Sequence, residues 1–418
     1  MPLSVLYIHP SGTFGGASRS LLEMLRAFQA GSVAARVISQ RGRVPEMLAR
    51  EGVPVIATRG IAQFDNTRYG YYRGLRWLVL LRELSFWWSM RRALQAAQAE
   101  WPRPDIVHVN ELTAIPAALL AKKLFGAPVV MHVRSVQRPM AIGLRGRLLR
   151  ELVGRCVDQL VAIDTTVRES LPADLPVAIV HNGFPGAPAA ARACPARAGT
   201  GRRRLRIGFV GLLLKLKGIY EFIEAARLCA ERGLDVEFVI AGENARVLRG
   251  LKGYLLKRFN FAADVRADLE RYIAEHALEG RVKLIGFTAD VKAVYDGLDV
   301  LCFPSHLDAC GRPVFEAAFS RVPSIVAVSD PKPDTIVHGE TGLCIPARDP
   351  KALADAVEHF CTRPEEVERM GEAAYRLAME NFDIAANAAK MLAIYRRLVA
   401  RPGATAGAAA HCEDVVEH

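Results

Sequence analysis

No apolar run in this chain approaches the roughly 20 residues that span a bilayer. The N-terminus, MPLSVLYIHPSG, lacks the basic start and long apolar core of a signal peptide. A cytoplasmic protein is therefore expected. Cys-x-x-Cys spacing is absent too: the eight cysteines, at 156, 194, 229, 302, 310, 344, 361 and 412, fit neither a zinc site nor a disulfide framework. They read as mostly reduced core thiols. A complete dinucleotide glycine fingerprint with its acidic ribose anchor is missing, which disfavours a dehydrogenase. Internal repeats are absent as well.

What is present is a globular composition. The 418 residues are 51% hydrophobic and 24% charged, enough for two or three domains with real cores. The net charge of +11 comes without any nucleic-acid-binding motif. It suits other anions instead: nucleotide diphosphates, lipid diphosphates and acidic membrane surfaces.

Short apolar runs at Leu3 to Ile8, Ala35 to Ser39, Val53 to Ala57, Asp105 to Val109, Ala127 to Val133, Gln159 to Ile163 and Val177 to Val180 predict strands, with helical patterns between most of them. That alternation predicts an α/β doubly wound parallel sheet ending near Phe184. The stretch PGAPAAARACPARAGTGRRR has few large apolar residues and reads as a linker. A second sheet begins at Leu205 to Val210 and continues through Val236 to Ala241, Val282 to Ile285, Leu298 to Phe303 and Pro323 to Val328. The basic, apolar segment Ala245 to Phe261 reads as an amphipathic excursion from it. The domains expected are 1–185, a linker 186–204, 205–381, a helix 382–400 crossing back to the first domain, and a disordered tail 401–418.

Ligands of open parallel sheets bind outside the carboxyl ends of the strands, so the loops there are the candidate sites. After the first strand, HPSGTFGGASRS leads into the pattern LLEMLRAF, a phosphate-binding type of turn with Gly15 and Gly16 as contact points. His132 ends a strand in VVMHVRS, with Asn110, Arg134 and Ser135 as weaker neighbours. In the second sheet the strand Leu298 to Phe303 opens into PSHLDACGRPVFEAAF. Gly311 allows close backbone approach there, and Pro313 suits a first helical position. Asp308 and Glu316 bracket the turn, with seven residues between them.

This arrangement resembles the acidic motif of the retaining family-4 (group 1) glycosyltransferases of GT-B fold, which usually have two glutamates with seven residues between them. Pro304, Ser305, Gly311 and Glu316 match, while Asp308 stands where Glu is usual. The likeness runs on through Asp334, also a glutamate in most of the family, and through Gly339, Thr341 and Gly342. It includes GLLLKLKG, where Gly211, Leu213, Lys217 and Gly218 match and Leu212 replaces an arginine. The resemblance covers about Leu3 to Leu398. It implies two Rossmann-like domains facing a central cleft, the first on the acceptor side and the second binding a nucleotide-sugar.

The resemblance also implies roles for the candidate residues. Glu316 would accept hydrogen bonds from the ribose, and Asp308 with the Gly311 loop would orient the sugar. Lys217, helped by Lys215, would neutralise the departing diphosphate. Gly15, Gly16, Gly211, Gly286, Phe287 and Arg312 complete the donor contacts, and His132 contacts the sugar or acceptor. No Asp-x-Asp motif is present to hold a metal beside the sugar, so no metal or other cofactor is expected. The implied partners are a nucleotide-sugar donor and a glycan or lipid-linked acceptor; nucleic acid is not among them. Two alternatives remain: a non-catalytic sugar-nucleotide-binding protein of the same fold, or another sugar-nucleotide enzyme such as an epimerase.

Residues 73–94, RGLRWLVLLRELSFWWSMRRAL, carry five arginines, three tryptophans and one glutamate. At about 100° per residue, Arg73, Arg76, Glu83 and Arg91 share one helical face, with Trp77 and Trp88 beside it. Such a helix is too charged to span a bilayer, but it suits the interface of an anionic membrane. The basic stretch Arg134 to Arg155 extends that surface. The expectation is a peripheral protein at the inner face of the cell membrane.

Overall fold

The structure, a computed structural model, describes residues 1–68, 70, 79–185, 204–244, 264–288 and 290–400. The expected linker (but for Arg204), the basic excursion, the tail and the start of the arginine-rich helix lie outside these residues. The chain divides into two compact units, Met1–Pro185 with Phe382–His418, and Gly186–Asn381.

The first unit is a seven-stranded parallel sheet: β1 (Leu3–His9), β2 (Val33–Gln40), β3 (Val55–Thr58), β4 (Ile106–Val109), β5 (Val129–Val133), β6 (Gln159–Ala162) and β7 (Val177–Ile179), in the order β3-β2-β1-β4-β5-β6-β7. Its central strands are sequestered on both faces, which is why they read as unbroken apolar runs. Helices α1 (Gly16–Ala27) and α2 (Arg43–Arg50) cover one face, and α3 (Val79–Glu100), α4 (Ile115–Phe125) and α5 (Gly143–Cys156) the other. The short α6 (Thr165–Glu169) follows β6.

Within α3, Met90, Ala93, Leu94 and Ala97 recur at helical spacing and enter the core. Glu83, assigned by periodicity to the charged outer face, instead turns inward. Its carboxylate accepts a hydrogen bond from Gln63 N at 3.1 Å and pairs with Arg82. An otherwise unpaired loop amide thus outweighs the cost of burying the charge.

The second unit has the same winding. Its strands are β8 (Leu205–Val210), β9 (Val236–Ala241), β10 (Val282–Gly286), β11 (Val300–Phe303), β12 (Ser324–Ala327) and β13 (Gly342–Ile345), in the order β10-β9-β8-β11-β12-β13, all parallel. The sequence pattern leaves β13 unmarked, because its short run opens on a glycine that continues a polar, glycine-bearing loop. Gly342, read as a loop residue, begins that strand, and a Cβ there would lie 2.3 Å from Ser324 O. The helices are α7 (Ile219–Glu231), α8 (Val265–Glu275), α9 (Val291–Asp296), α10 (Arg312–Phe319), α11 (Pro350–Thr362) and α12 (Glu365–Phe382).

The last helix, α13 (Ile384–Val399), belongs to the first unit and is capped by the Asp383 carboxylate on Ala386 N. Its Met391, Ile394, Tyr395 and Leu398 join the core over β1 and α1. The Tyr395 hydroxyl meets Tyr7 at 3.2 Å and His108 Nδ1 at 2.6 Å.

Candidate functional site

In both sheets the strand order reverses beside the first strand, between β1 and β4 and between β8 and β11. Loops that part there open a crevice at the carboxyl edge. In the second unit several candidate residues gather at this edge.

The loop after β8 folds into a single 3-10 turn, Lys215–Lys217, closed by Gly218 in the left-handed conformation (φ 76°). A Cβ at Gly218 would stand 1.9 Å from Pro304 O, so only glycine lets this loop close on the one after β11. Two hydrogen bonds fix the contact: His306 N donates to Leu216 O at 3.0 Å, and Ser305 Oγ to the same oxygen at 3.3 Å. His306 Nε2 also meets Glu221 at 2.9 Å.

One aromatic ring then joins two candidates. Lys217 Nζ sits 5.0 Å from the centroid of Phe303, and a Cβ on Gly311 would fall 2.4 Å from the same ring. The ammonium and the start of α10 thus share one ring's width, and no side chain caps that helix. Lys217 has no carboxylate partner among the described residues, and burial lowers its pKa. Lys215 and Leu212 are exposed on the same loop, so the leucine that replaces an arginine brings no charge to the rim.

Asp308 adopts a left-handed conformation, φ 51°, uncommon outside glycine. Its carboxylate accepts from Ser329 N at 2.7 Å and Ser329 Oγ at 2.8 Å. Glu316, on the first turns of α10, is largely buried. Its Oε2 accepts from the Tyr295 hydroxyl at 2.8 Å, and its Oε1 faces Arg312 at 3.2 Å. Arg312 is thereby tied to Glu316. Gly286 (φ 73°) ends β10, its carbonyl accepts from Gly242 N, and the exposed Phe287 donates its amide to Glu243.

In the first unit, Gly15 and Gly16 are exposed at the start of α1, and nothing lies within 4 Å of a Cβ on Gly15. The glycine that packing demands in this loop is Gly12, whose Cβ would collide with Arg41 O at 2.1 Å. His132 lies in the interior, 2% exposed, with its Nδ1 3.3 Å from Arg134 and its Nε2 without a partner. A small cavity beside it is lined by Arg134, His181, Asn182 and Asn387 among others. Arg134, half-buried, donates to Asn110 Oδ1 at 2.8 Å and to Asn182 Oδ1 at 2.6 Å. Burial and the Arg134 charge push His9 and His108 down to about 3, and hold His132 well below its usual range. Burial raises the Glu111 carboxyl to about 6, although it accepts from Leu112 N and Ser135 Oγ.

Sequence reasoning missed Ser329, Tyr295 and Phe303. Each acts through another residue rather than through a motif of its own, and only the position of Ser329 just past a strand end hinted at a role. Among the described residues no cluster of three or more His, Cys, Asp or Glu has the geometry of a metal site. No described helix is long and apolar enough to cross a membrane.

Paired Rossmann-like units with phosphate-suited loops at the carboxyl edges define the class, a GT-B type protein. Its fold matches that of Anabaena HepE, solved in complex with UDP, at a TM-score of 0.71 and 19% identity over 94% of this chain and 100% of that one. Residues 196–377 match the family model "Glycosyl transferases group 1", and residues 15–183 match "Glycosyl transferase 4-like domain". The two matches together take in most of the chain, which belongs to the group 1 glycosyltransferases. Among curated relatives it is 28% identical over 192 residues to the alpha-D-kanosaminyltransferase of Streptomyces kanamyceticus, covering 46% of this chain and 45% of that protein. It is 24% identical over 406 residues to the glycogen synthase of Mycobacterium tuberculosis, covering 91% of each. The chain thus spans less than half the length of the first of these relatives.

Proposed function

We propose that this protein transfers a sugar from a nucleotide-sugar donor to a glycan or lipid-linked acceptor, with retention of anomeric configuration, in the synthesis of a cell-surface polysaccharide or glycolipid. The observation that carries this reading is Lys217, a half-buried ammonium over Phe303 with no carboxylate partner among the described residues. A cation kept in that state is suited to an incoming diphosphate.

Charge builds on the diphosphate as the bond to the anomeric carbon breaks. Lys217 stabilises it, and a fixed charge in a partly desolvated site does so more strongly than in water. Glu316, held by Tyr295 and Arg312, accepts hydrogen bonds from the ribose hydroxyls with its remaining lone pairs. Asp308 and the Gly311 loop orient the sugar. The acceptor oxygen bonds to the anomeric carbon on the face from which the phosphate leaves, and its proton passes to the departing phosphate oxygen. No covalent nucleophile and no metal take part in this scheme. Gly15, Gly16, Gly286 and Phe287 add donor contacts. In the first unit, His132 acts in the acceptor region through Arg134, which is less enclosed. A lipid-linked acceptor sets the enzyme at the inner face of the cell membrane as a peripheral protein, with residues 73–94 at the surface.

Thermal-shift screening against nucleoside diphosphates and their sugars tests the donor site, because a ligand of the native state alone raises stability. Transfer assays with the stabilising donor, and the anomeric proton coupling of the product, test the reaction. No shift with any nucleoside diphosphate and no donor turnover would overturn the reading. A second reading, a non-catalytic sugar-nucleotide binder, is favoured by the uncharged Leu212 and by the engagement of Asp308 with Ser329. Stabilisation by a donor with no turnover would select it.

A further inference from the structure

Six large apolar side chains stand in solvent on one layer of the first unit: Leu81, Leu84 and Trp88 on α3, and Ile142, Leu144 and Leu148 at the start of α5. Leu144 is 86% and Ile142 74% exposed, more than any core-forming leucine or isoleucine of either unit. Scattered surface leucines need no explanation; two groups of three, on the helices that flank α4, do.

The topology puts them at one edge. Helices that connect parallel strands run against the strand direction, so α3 and α5 both begin at the carboxyl edge of the sheet. Both pack beside α4 on the same face. The loops that precede them are joined there, Arg138 N donating to Asn66 O and Arg68 N to Val136 O, each at 2.9 Å. The same edge carries the loops after β1 and β5, which bear Gly15 and Gly16 and follow His132.

The unpaired charge beside these side chains is positive. Arg91, Arg92, Arg145 and Arg147 make no ion pair among the described residues, and Arg91 lies over the Trp88 ring with 5.9 Å from guanidinium to centroid. The acidic groups nearby are already engaged: Glu83 is buried against Arg82, Glu151 pairs with Arg155, and Asp174 with Arg150. Unpaired arginines beside exposed leucine and tryptophan complement a surface that is apolar within and anionic at its rim. An anionic bilayer is such a surface, since leucine and tryptophan enter the headgroup region while guanidinium groups meet lipid phosphates.

We propose that Leu81, Leu84 and Trp88 of α3 together with Ile142, Leu144 and Leu148 of α5 form one membrane-docking edge, rimmed by Arg91, Arg92, Arg145 and Arg147, for an anionic lipid bilayer. It deepens the lipid-linked-acceptor reading by naming the surface that meets the membrane. It also moves the main contact from the arginine-rich helix alone to two elements.

Sedimentation of the full chain with phosphatidylcholine vesicles, with and without phosphatidylglycerol, tests it. The protein binds the anionic vesicles, and salt weakens binding because it screens the arginines. Ile142→Ser/Leu144→Ser and, separately, Arg145→Gln/Arg147→Gln each lower the partition coefficient about tenfold. Melting temperature and nucleoside diphosphate binding stay at wild-type values in both, because Ile142, Leu144 and Arg147 are exposed and neither arginine makes a hydrogen bond or ion pair among the described residues. This keeps a docking defect distinct from failure of the transferase reading. No sedimentation of folded protein at low salt overturns the proposal, as does unchanged binding by both double variants. A stable dimer in light scattering that both variants dissolve assigns the edge to a second copy and overturns it equally.

Discussion

Ser329, just beyond the end of β12, holds the carboxylate of Asp308 with both its amide and its hydroxyl, at 2.7 and 2.8 Å, while Asp308 itself sits at φ 51°. Left-handed backbone at a non-glycine residue costs about 1 to 2 kcal/mol and persists where surrounding bonds over-determine it. Ser329 supplies such bonds, so the aspartate is positioned by a strand two loops away in sequence.

Ser329→Ala should therefore raise the donor KM several-fold while kcat falls less, because the carboxylate is mis-aimed rather than removed. Ser329→Thr, which keeps the hydroxyl, should restore the wild-type KM. Steady-state kinetics on the three proteins decides; equal kinetics in all of them would make the contact purely structural.

Lys217→Ala should weaken binding of nucleoside diphosphates far more than of nucleosides, since its proposed partner is the diphosphate. The pH dependence carries a sign. Burial lowers the pKa of free Lys217, and a bound diphosphate raises it again. Binding then takes up a proton, and affinity falls as pH rises through the lowered value, earlier than an exposed lysine would allow. Calorimetric titration in buffers of different ionisation enthalpy measures that uptake. A flat alkaline profile would remove Lys217 from the diphosphate.

Glu316→Gln should cut donor binding or rate roughly ten- to a hundredfold, the equivalent of a lost charge-assisted bond at about 1.5 to 3 kcal/mol. The fold should survive, because the volume is unchanged. Tyr295→Phe removes the hydroxyl that holds Oε2 and should show a weaker form of the same defect. Wild-type turnover in folded Glu316→Gln would exclude it from the site.

Transfer should persist in EDTA. In the proposed scheme the diphosphate charge falls to Lys217 and backbone amides, and the sequence has no Asp-x-Asp pair for a metal. Activity that is lost in chelator and restored by magnesium or manganese would contradict this.

Acid should destabilise the first unit through His9, His108 and His132. Their folded pKa values are depressed, so the unfolded chain binds more protons below about 6.5, down to about 3 for His9 and His108, with His132 shifted in the same direction. Stability is fully present above 6.5 and is lost as pH falls, by up to about 1.4 kcal/mol per pH unit for each histidine. Thermal melts from pH 7 to 5 should show this slope, and His9→Asn should reduce it by one proton's share.

Sequence alone marked twelve of the strands of the described fold to within two residues at each end, because parallel strands buried on both faces must be unbroken apolar runs bounded by turn residues. It also marked Asp308, Gly311 and Glu316, since glycines, prolines and charges beside strand ends are local features, and Lys217 through the resemblance to the family. The inward turn of Glu83 was not legible. Periodicity assigns a helical face but cannot know that the amide of Gln63 waits on the inner one. Nor could sequence join Ser329 to Asp308 across 21 residues, or Tyr395 to Tyr7 across 388. Those pairings exist because two strands or a returning helix lie side by side, a consequence of sheet order that no local window contains. Which apolar side chains remain in solvent was settled the same way: Leu144 and Leu149 are alike in composition, and only the packing of α5 on α4 exposes one and buries the other.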